Sequence, residues 1–345
     1  MTSQPKSLDA RSQIPPNLDI LPMITGNRVT QLIYVAAKLG IADLLKNGPK
    51  TCSELAQAAG AHARSLYRVM RALASVGIFS ELEDGRFDMT PLAACLQTGV
   101  PDSRRFTAIT FGQEYHVILG SLLHSVQTGE AAFNHIYGTG YFQYLAENPE
   151  AAAVFNAFMT ETKMVDYRPV VFAYDYTGLS KIIDVGGGHG TVLSMILDAY
   201  PTAKGVLFDS PSVVEGAKAH IEAAGLAGRC EVMRGDFFES VPGGGDAYIL
   251  SQITHDWPDE QAVVLLKNCH RAMAENGKLV VMDHVIRPGN APSPGKMLDI
   301  TMMVLLGSQE RTEAEFRTLF AAAGFRLTKV IYTNGSADVI EAVRA

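Results

Sequence analysis

The residues best equipped for chemistry are a loop histidine and a set of acidic side chains that close apolar runs. The segment Thr254-His255-Asp256-Trp257-Pro258-Asp259-Glu260 follows the run DAYILSQI. Pro258 suits the first turn of a helix, and Asp259 and Glu260 suit its positive end. His255 is therefore expected in a loop at the carboxyl edge of a strand. An imidazole with an unperturbed pKa of about 6.5 can take a proton from a hydroxyl at neutral pH. Such a base needs carboxylates to orient and polarise its ring. Asp283, closing KLVVMD, and Glu310, in GSQERT, are the expected partners. Asp256 and Asp299 are weaker candidates, read as structural, and His270 and His284 are read as incidental.

A second constellation surrounds the glycine turn in IIDVGGGHG, Ile182 to Gly190. A strand closing in Asp184 and running into Gly186, Gly187, Gly188 and Gly190 lets backbone approach a ligand at a helix N-terminus. Asp209 closes the next apolar run and can accept hydrogen bonds from ribose hydroxyls. Gly235-Asp236-Phe237 follows the third, offering an acceptor and an aromatic face to an adenine. A dinucleotide fingerprint would put its last glycine at position 191, which is Thr191, and it includes no acidic residue after the third strand. The pattern thus fits a nucleoside, S-adenosylmethionine in preference to a nicotinamide. His189, inside the turn, is read as incidental or as touching the methionine part of that cofactor.

Elements must hold these residues at one edge. From Lys181 onward, β-rich runs alternate with helical patterns, which implies a sheet of parallel strands covered on both faces by crossover helices. The last segments add a helix and two strands, expected as a closing hairpin. Residues 101–175 read as helices rich in aromatics. Upstream, a helix, a turn, a second helix and the hairpin GIFSELEDGRFDMTP outline a winged helix. Arg64, Arg68 and Arg71 share a face of its second helix, as a DNA-reading stripe would. Glu81, Glu83 and Asp84 on the hairpin would repel phosphates, and the chain of 345 residues carries a net charge of -7. Nucleic acid is therefore not the expected partner. The four cysteines lack metal-ligand spacing and read as reduced thiols of a cytoplasmic protein. No run is apolar enough to span a bilayer, and the start of the chain is too polar for a secretion signal.

Taken with AAKLGIADLL, SLYRVMRALASVGIF, GRFDMTP, GDFF, HDWPDE and GSQERTEAEF, these residues resemble the plant caffeic-acid-type and bacterial hydroxyneurosporene-type small-molecule O-methyltransferases over nearly the whole chain. The resemblance implies an α/β C-terminal Rossmann-like domain with a mixed, mostly parallel sheet, and an N-terminal all-helical winged-helix dimerisation domain that helps close the partner's pocket. The expected division is a loose arm over 1–17, the dimerisation domain over 18–100, a helical linker and substrate-pocket region over 101–175, and the cofactor-binding domain over 176–345. The resemblance implies cofactor contacts at Gly186, Asp209, Asp236 and Phe237, to which the turn adds Asp184 and Gly188 and the fourth strand Ser251, and a general base at His255 flanked by Asp283 and Glu310. It also implies contacts to substrate or the cofactor's methyl end at Phe155 and Met159, while Met303, with Met297, Met302 and Leu306 near the GSQERT turn, is expected to line an apolar, adaptable pocket for a flat molecule.

Two positions depart from the plant pattern: Ser251 stands where those relatives have lysine, and Asp283 where they have glutamate. The expected activity is methyl transfer from S-adenosylmethionine to a hydroxyl of a small aromatic or polyketide-like molecule, leaving S-adenosylhomocysteine and requiring no metal. The alternatives are a same-fold decarboxylase, hydroxylase or pericyclase and, more remotely, a winged-helix regulator. The expected partners are a second copy of the chain and the small acceptor, with no nucleic acid and no membrane.

Overall fold

The structure is a computed structural model describing residues 15–345. The arm expected over 1–17 lies outside the described residues up to residue 14, and its end enters a one-turn helix, Pro16–Asp19. The chain forms two compact units, Met1–Thr98 and Gly99–Ala345.

In the first unit, Thr51 caps the Cys52–Ala59 helix reciprocally with Glu54, satisfying two orphan N–H groups. The Ala63–Ser75 helix buries Leu66, Met70 and Leu73 and leaves Arg64, Arg68 and Arg71 exposed. The hairpin forms as β2 (Phe79–Glu81) and β3 (Arg86–Met89), turning at Gly85 with φ 77°. A short strand, β1 (Lys50–Thr51), pairs with β3, so three strands sit among the helices. Tyr67 donates to Glu81 at 3.0 Å, tying the hairpin to the second helix.

The second unit holds a seven-stranded sheet in the order β11-β12-β8-β7-β4-β5-β6. These are β4 (Lys181–Val185), β5 (Lys204–Asp209), β6 (Cys230–Arg234), β7 (Ala247–Ser251), β8 (Lys278–Asp283), β11 (Phe325–Ile331) and β12 (Asp338–Arg344). The first five are mutually parallel, and the β11–β12 hairpin closes the sheet antiparallel to β8. Residues alternate between faces along each strand. Ile183, Val185, Tyr248 and Leu250 join one core, Ile182, Ala247 and Ile249 the other, and helices cover both. That double coverage is why these strands read as continuous apolar runs.

From β4 the chain winds outward through β5 and β6, then returns to β7 on β4's other side. The carboxyl ends of β4 and β7 therefore flank the topological switch point, where open α/β sheets bind ligands. The helices Glu114–Leu119, Ala132–Tyr137, Pro149–Asp166 and Pro294–Leu306 belong to this same unit and share an aromatic-rich core around Phe133, Tyr141 and Met302. No helix among the described residues is long and apolar enough to cross a membrane. All four cysteines are free thiols.

Candidate active site

β7 ends in Ser251, and the backbone then turns sharply at Gln252, the one described non-glycine residue with positive φ, 56°. Such a conformation costs of order 1–2 kcal/mol and persists only where surroundings enforce it. The Gln252 N–H donates to the Met282 carbonyl at 3.1 Å. Thr254–Asp256 forms a 3-10 turn, clamped by the buried guanidinium of Arg311. Arg311 donates to the carbonyls of Thr254 at 2.7 Å and Trp257 at 2.8 Å and to the carboxylate of Asp259 at 2.9 and 2.7 Å. Arg311 reaches this position from β10 (Arg311–Thr312), which pairs with β9 (Val285–Ile286), just beyond β8.

His255 is 5% exposed within this clamp. Its Nδ1 lies 2.6 Å from Glu310 Oε1, and the Glu310 N–H donates to Asp299 Oδ1 at 2.9 Å. Nε2 lies 3.4 Å from Asp256 Oδ1. Thus Glu310 is at the ring as expected, Asp256, set down as structural, lies beside it, and Asp299 holds the Glu310 backbone. Asp283 differs from the expectation: its carboxylate accepts from the Thr254 hydroxyl instead of the imidazole. Glutamate reaches the ring where the shorter aspartate reaches the residue before it. Asp283 acts on His255 through its charge. Burial alone would lower the imidazole pKa, but Glu310, Asp283 and Asp256 outweigh it and push it up to about 10. Burial pushes Asp256 up to about 7, against the pull of His255.

Across the switch point, the glycine turn packs too closely for side chains. A Cβ on Gly186 would lie 2.5 Å from Ile253 Cδ1, and one on Gly187 would lie 2.6 Å from Asp184 Oδ2. A Cβ on Gly188, at φ +61°, would meet nothing within 4 Å, so that peptide faces open space. Asp209 accepts from the N–H of Gly188 at 2.8 Å and of Ser210 at 2.6 Å, fixing its carboxylate beside the turn. Each of its oxygens retains a lone pair for a ribose hydroxyl. Asp236 is exposed, and Phe237 meets Trp257 edge-on at 5.9 Å. Asp184 lies fully buried beneath the turn, where burial pushes it up to about 6. Neither of its carboxylate oxygens has a hydrogen-bond partner among the described residues.

Phe155 packs edge-on against Tyr141 at 5.4 Å, and Met303 packs against the same cluster, while Met159 is half-buried one helical turn beyond Phe155. Met302 is 5% exposed and Met297 is 73% exposed, so the methionines of that helix do not share one environment. His189 meets the Thr160 hydroxyl at 3.2 Å. Lys163 and Arg311, absent from the sequence reading, are both buried at this edge. A separate cavity of about 640 Å³ opens at the amino edge of the sheet beside Lys181 and Arg229. Lys181 already donates to Gly243 O at 2.7 Å and Arg229 to Ala203 and Leu197 carbonyls, so it holds no comparable set of groups.

An open glycine turn with an anchored carboxylate on one side, and a buried imidazole held by carboxylates on the other, define a nucleoside-dependent transferase of the α/β class. The matches to known proteins agree. Residues 120–326 match the O-methyltransferase domain and residues 21–99 the O-methyltransferase dimerisation domain. A phenazine O-methyltransferase of Lysobacter antibioticus is 49% identical over 95% of this chain and 96% of its own length. A mitomycin biosynthesis 6-O-methyltransferase of Streptomyces lavendulae is 36% identical over 94% and 93%. The crystal structure of an O-methyltransferase from neocarzinostatin biosynthesis, in complex with S-adenosyl-L-homocysteine and 1,4-dihydroxy-2-naphthoic acid, is 30% identical with a TM-score of 0.82, covering 94% of this chain and 98% of that one. The chain belongs to the O-methyltransferase family: it is an S-adenosylmethionine-dependent methyltransferase of small molecules, with a dimerisation domain preceding a Rossmann-like domain. Relatives of this kind do not favour the diverted chemistries set beside methylation above.

Proposed function

We propose that the protein methylates a hydroxyl of a flat aromatic acceptor, with His255 as the general base and a second copy of the chain as its partner. The observation that carries the assignment is the imidazole at the carboxyl end of β7, with Nδ1 fixed on Glu310 at 2.6 Å. Nδ1 being engaged, Nε2 is the atom that meets the acceptor. When bound at the glycine turn, S-adenosylmethionine supplies an electrophilic methyl on a sulfonium. Gly186, Gly188, Asp209, Asp236, Phe237 and Ser251 would hold that group, with Asp184 buried beneath the turn. The chain's own task is then to align the acceptor oxygen and take its proton.

At neutral pH the imidazole carries both protons until its charge is relieved. The Nε2 proton leaves before the reaction, and Asp256 Oδ1 lies 3.4 Å from the nitrogen that loses it. The freed nitrogen then accepts the hydroxyl proton as oxygen attacks. Glu310 stabilises the imidazolium so formed, and the Asp283 charge adds to it. Alignment supplies several kcal/mol and general-base help about 10²- to 10⁴-fold. Phe155 and Met303 border the aromatic cluster that suits a planar acceptor, a class that includes the phenazine and naphthoate named for the relatives, and Met159 follows Phe155 by one helical turn.

The test is incubation with S-adenosylmethionine and a panel of hydroxylated phenazines, naphthoates and quinones, quantifying methyl ether and S-adenosylhomocysteine together. Equal amounts of the two are expected. Acceptor consumption without S-adenosylhomocysteine would overturn the reading.

A further inference from the structure

Lys163 lies on the last turn of the Pro149–Asp166 helix and is 6% exposed. Among the described lysines and arginines only it and Arg311 are buried. Burying an ammonium is expensive unless an anion or several acceptors receive it. Lys163 Nζ makes one hydrogen bond among the described residues, to the carbonyl of Ser251 at 3.3 Å, and an ammonium has three donors. Burial lowers its pKa, while the charges of Asp184, Asp209, Asp256 and Asp283 hold it up. Two of those aspartates belong to the glycine-turn side of the switch point and two to the His255 side. Ser251 closes β7, between the β4 strand that runs into the glycine turn and the turn that carries His255, so the hydrogen bond to its carbonyl places the ammonium between the nucleoside end and the base end of the site.

Its helix is anchored there. The Glu161 carboxylate accepts from the N–H groups of Phe106 at 3.3 Å and Thr107 at 2.8 Å and from the Thr107 hydroxyl at 2.9 Å, and Asp166 pairs with Arg104. These contacts flank Lys163 on both sides in sequence.

A cofactor with adenosine at Asp209 and a methyl group facing His255 must lay its amino-acid end near the switch point. That end carries a carboxylate, which needs a cation. Arg311 is engaged by Asp259 and two carbonyls, and His255 by Glu310. We propose that Lys163 binds the carboxylate of S-adenosylmethionine and S-adenosylhomocysteine, with Ser251 O orienting its ammonium. This rests on the cofactor site described above. The competing account is that Lys163 serves only as counter-charge to the buried Asp184.

Calorimetric affinities of the full chain for S-adenosylhomocysteine and for 5′-methylthioadenosine, which lacks the amino-acid end, separate the two. Lys163→Met should weaken S-adenosylhomocysteine by about 10²-fold and 5′-methylthioadenosine by less than about threefold, and Lys163→Arg should restore most of the loss. Equal weakening of both ligands, or none, would overturn the proposal. A probe that needs no variant is the carboxamide of S-adenosylhomocysteine. The wild-type protein should bind it at least about tenfold more weakly than the acid, and equal binding would overturn the assignment. Wild-type protein that bound 5′-methylthioadenosine and S-adenosylhomocysteine equally would also refute it, while leaving the nucleoside site intact. Failure to bind either would remove the cofactor site and the proposal together.

Discussion

Replacing Glu310 by glutamine isolates the electrostatic part of the His255 environment. The amide oxygen can still accept from Nδ1, so the 2.6 Å contact survives while its charge is lost. Two unit charges about 4 Å apart at an effective dielectric constant of about 20 interact by about 4 kcal/mol. That corresponds to about three pKa units. The imidazole, held at about 10 by Glu310, Asp283 and Asp256 against burial, should therefore fall to roughly 7 in Glu310→Gln. The assay is an NMR titration of the imidazole nitrogens, with His255 assigned among the nine histidines by its absence from His255→Gln. The acidic limb of the pH–rate profile should move down with it. A stability consequence follows from the same shift. A folded pKa above the unfolded value of about 6.5 stabilises fully below that pH, and the contribution is lost as pH rises toward 10. The variant should lack most of this loss. A midpoint unchanged within about half a unit would refute the claim that Glu310 dominates the favourable charges on the ring.

Asp184→Asn should flatten part of the pH dependence of stability. Its folded pKa of about 6 exceeds the unfolded value of about 3.9, so the wild-type contribution falls as pH rises between those values, by at most about 3 kcal/mol. Urea unfolding at several pH values reads the difference. Gly186→Ala, with φ 70° and a Cβ 2.5 Å from Ile253 Cδ1, should lower thermal stability by about 1–3 kcal/mol and weaken S-adenosylhomocysteine. Gly188→Ala meets no atom within 4 Å but keeps the strain of φ +61°, so its stability loss should be about 1–2 kcal/mol in the same unfolding assay. Asp209→Ala frees two backbone donors and should weaken 5′-methylthioadenosine at least about tenfold in calorimetry.

Much of this arrangement is legible in the chain because local rules apply where the site is built. Asp184, Asp209 and Asp283 each close an apolar run, and each lies at the carboxyl end of its strand. The capping box at Thr51 and the turn at Gly85 are likewise local signals. The rest depends on distance through the fold. Two acidic residues in GSQERT and KLVVMD look alike as partners for a histidine. Register and side-chain length give one to His255 and the other to Thr254. Arg311 carries no local mark of its clamp, whose partners lie 52 to 57 residues away. Ser251 at the plant lysine position raises the question of a missing cation, and Lys163 supplies one from 88 residues upstream. No spacing rule connects a helix residue to a strand end so far off. The positive φ of Gln252 is also invisible in composition, since its N–H is held by the Met282 carbonyl of a strand that follows it in the chain.

The central claim is that His255 takes the proton from the acceptor hydroxyl. It is tested most directly by His255→Ala, with turnover and S-adenosylhomocysteine affinity measured on the same preparation. The account predicts a fall in kcat of about 10²- to 10⁴-fold with cofactor affinity within about threefold of the wild type. Wild-type turnover in a variant that binds the cofactor fully would contradict it.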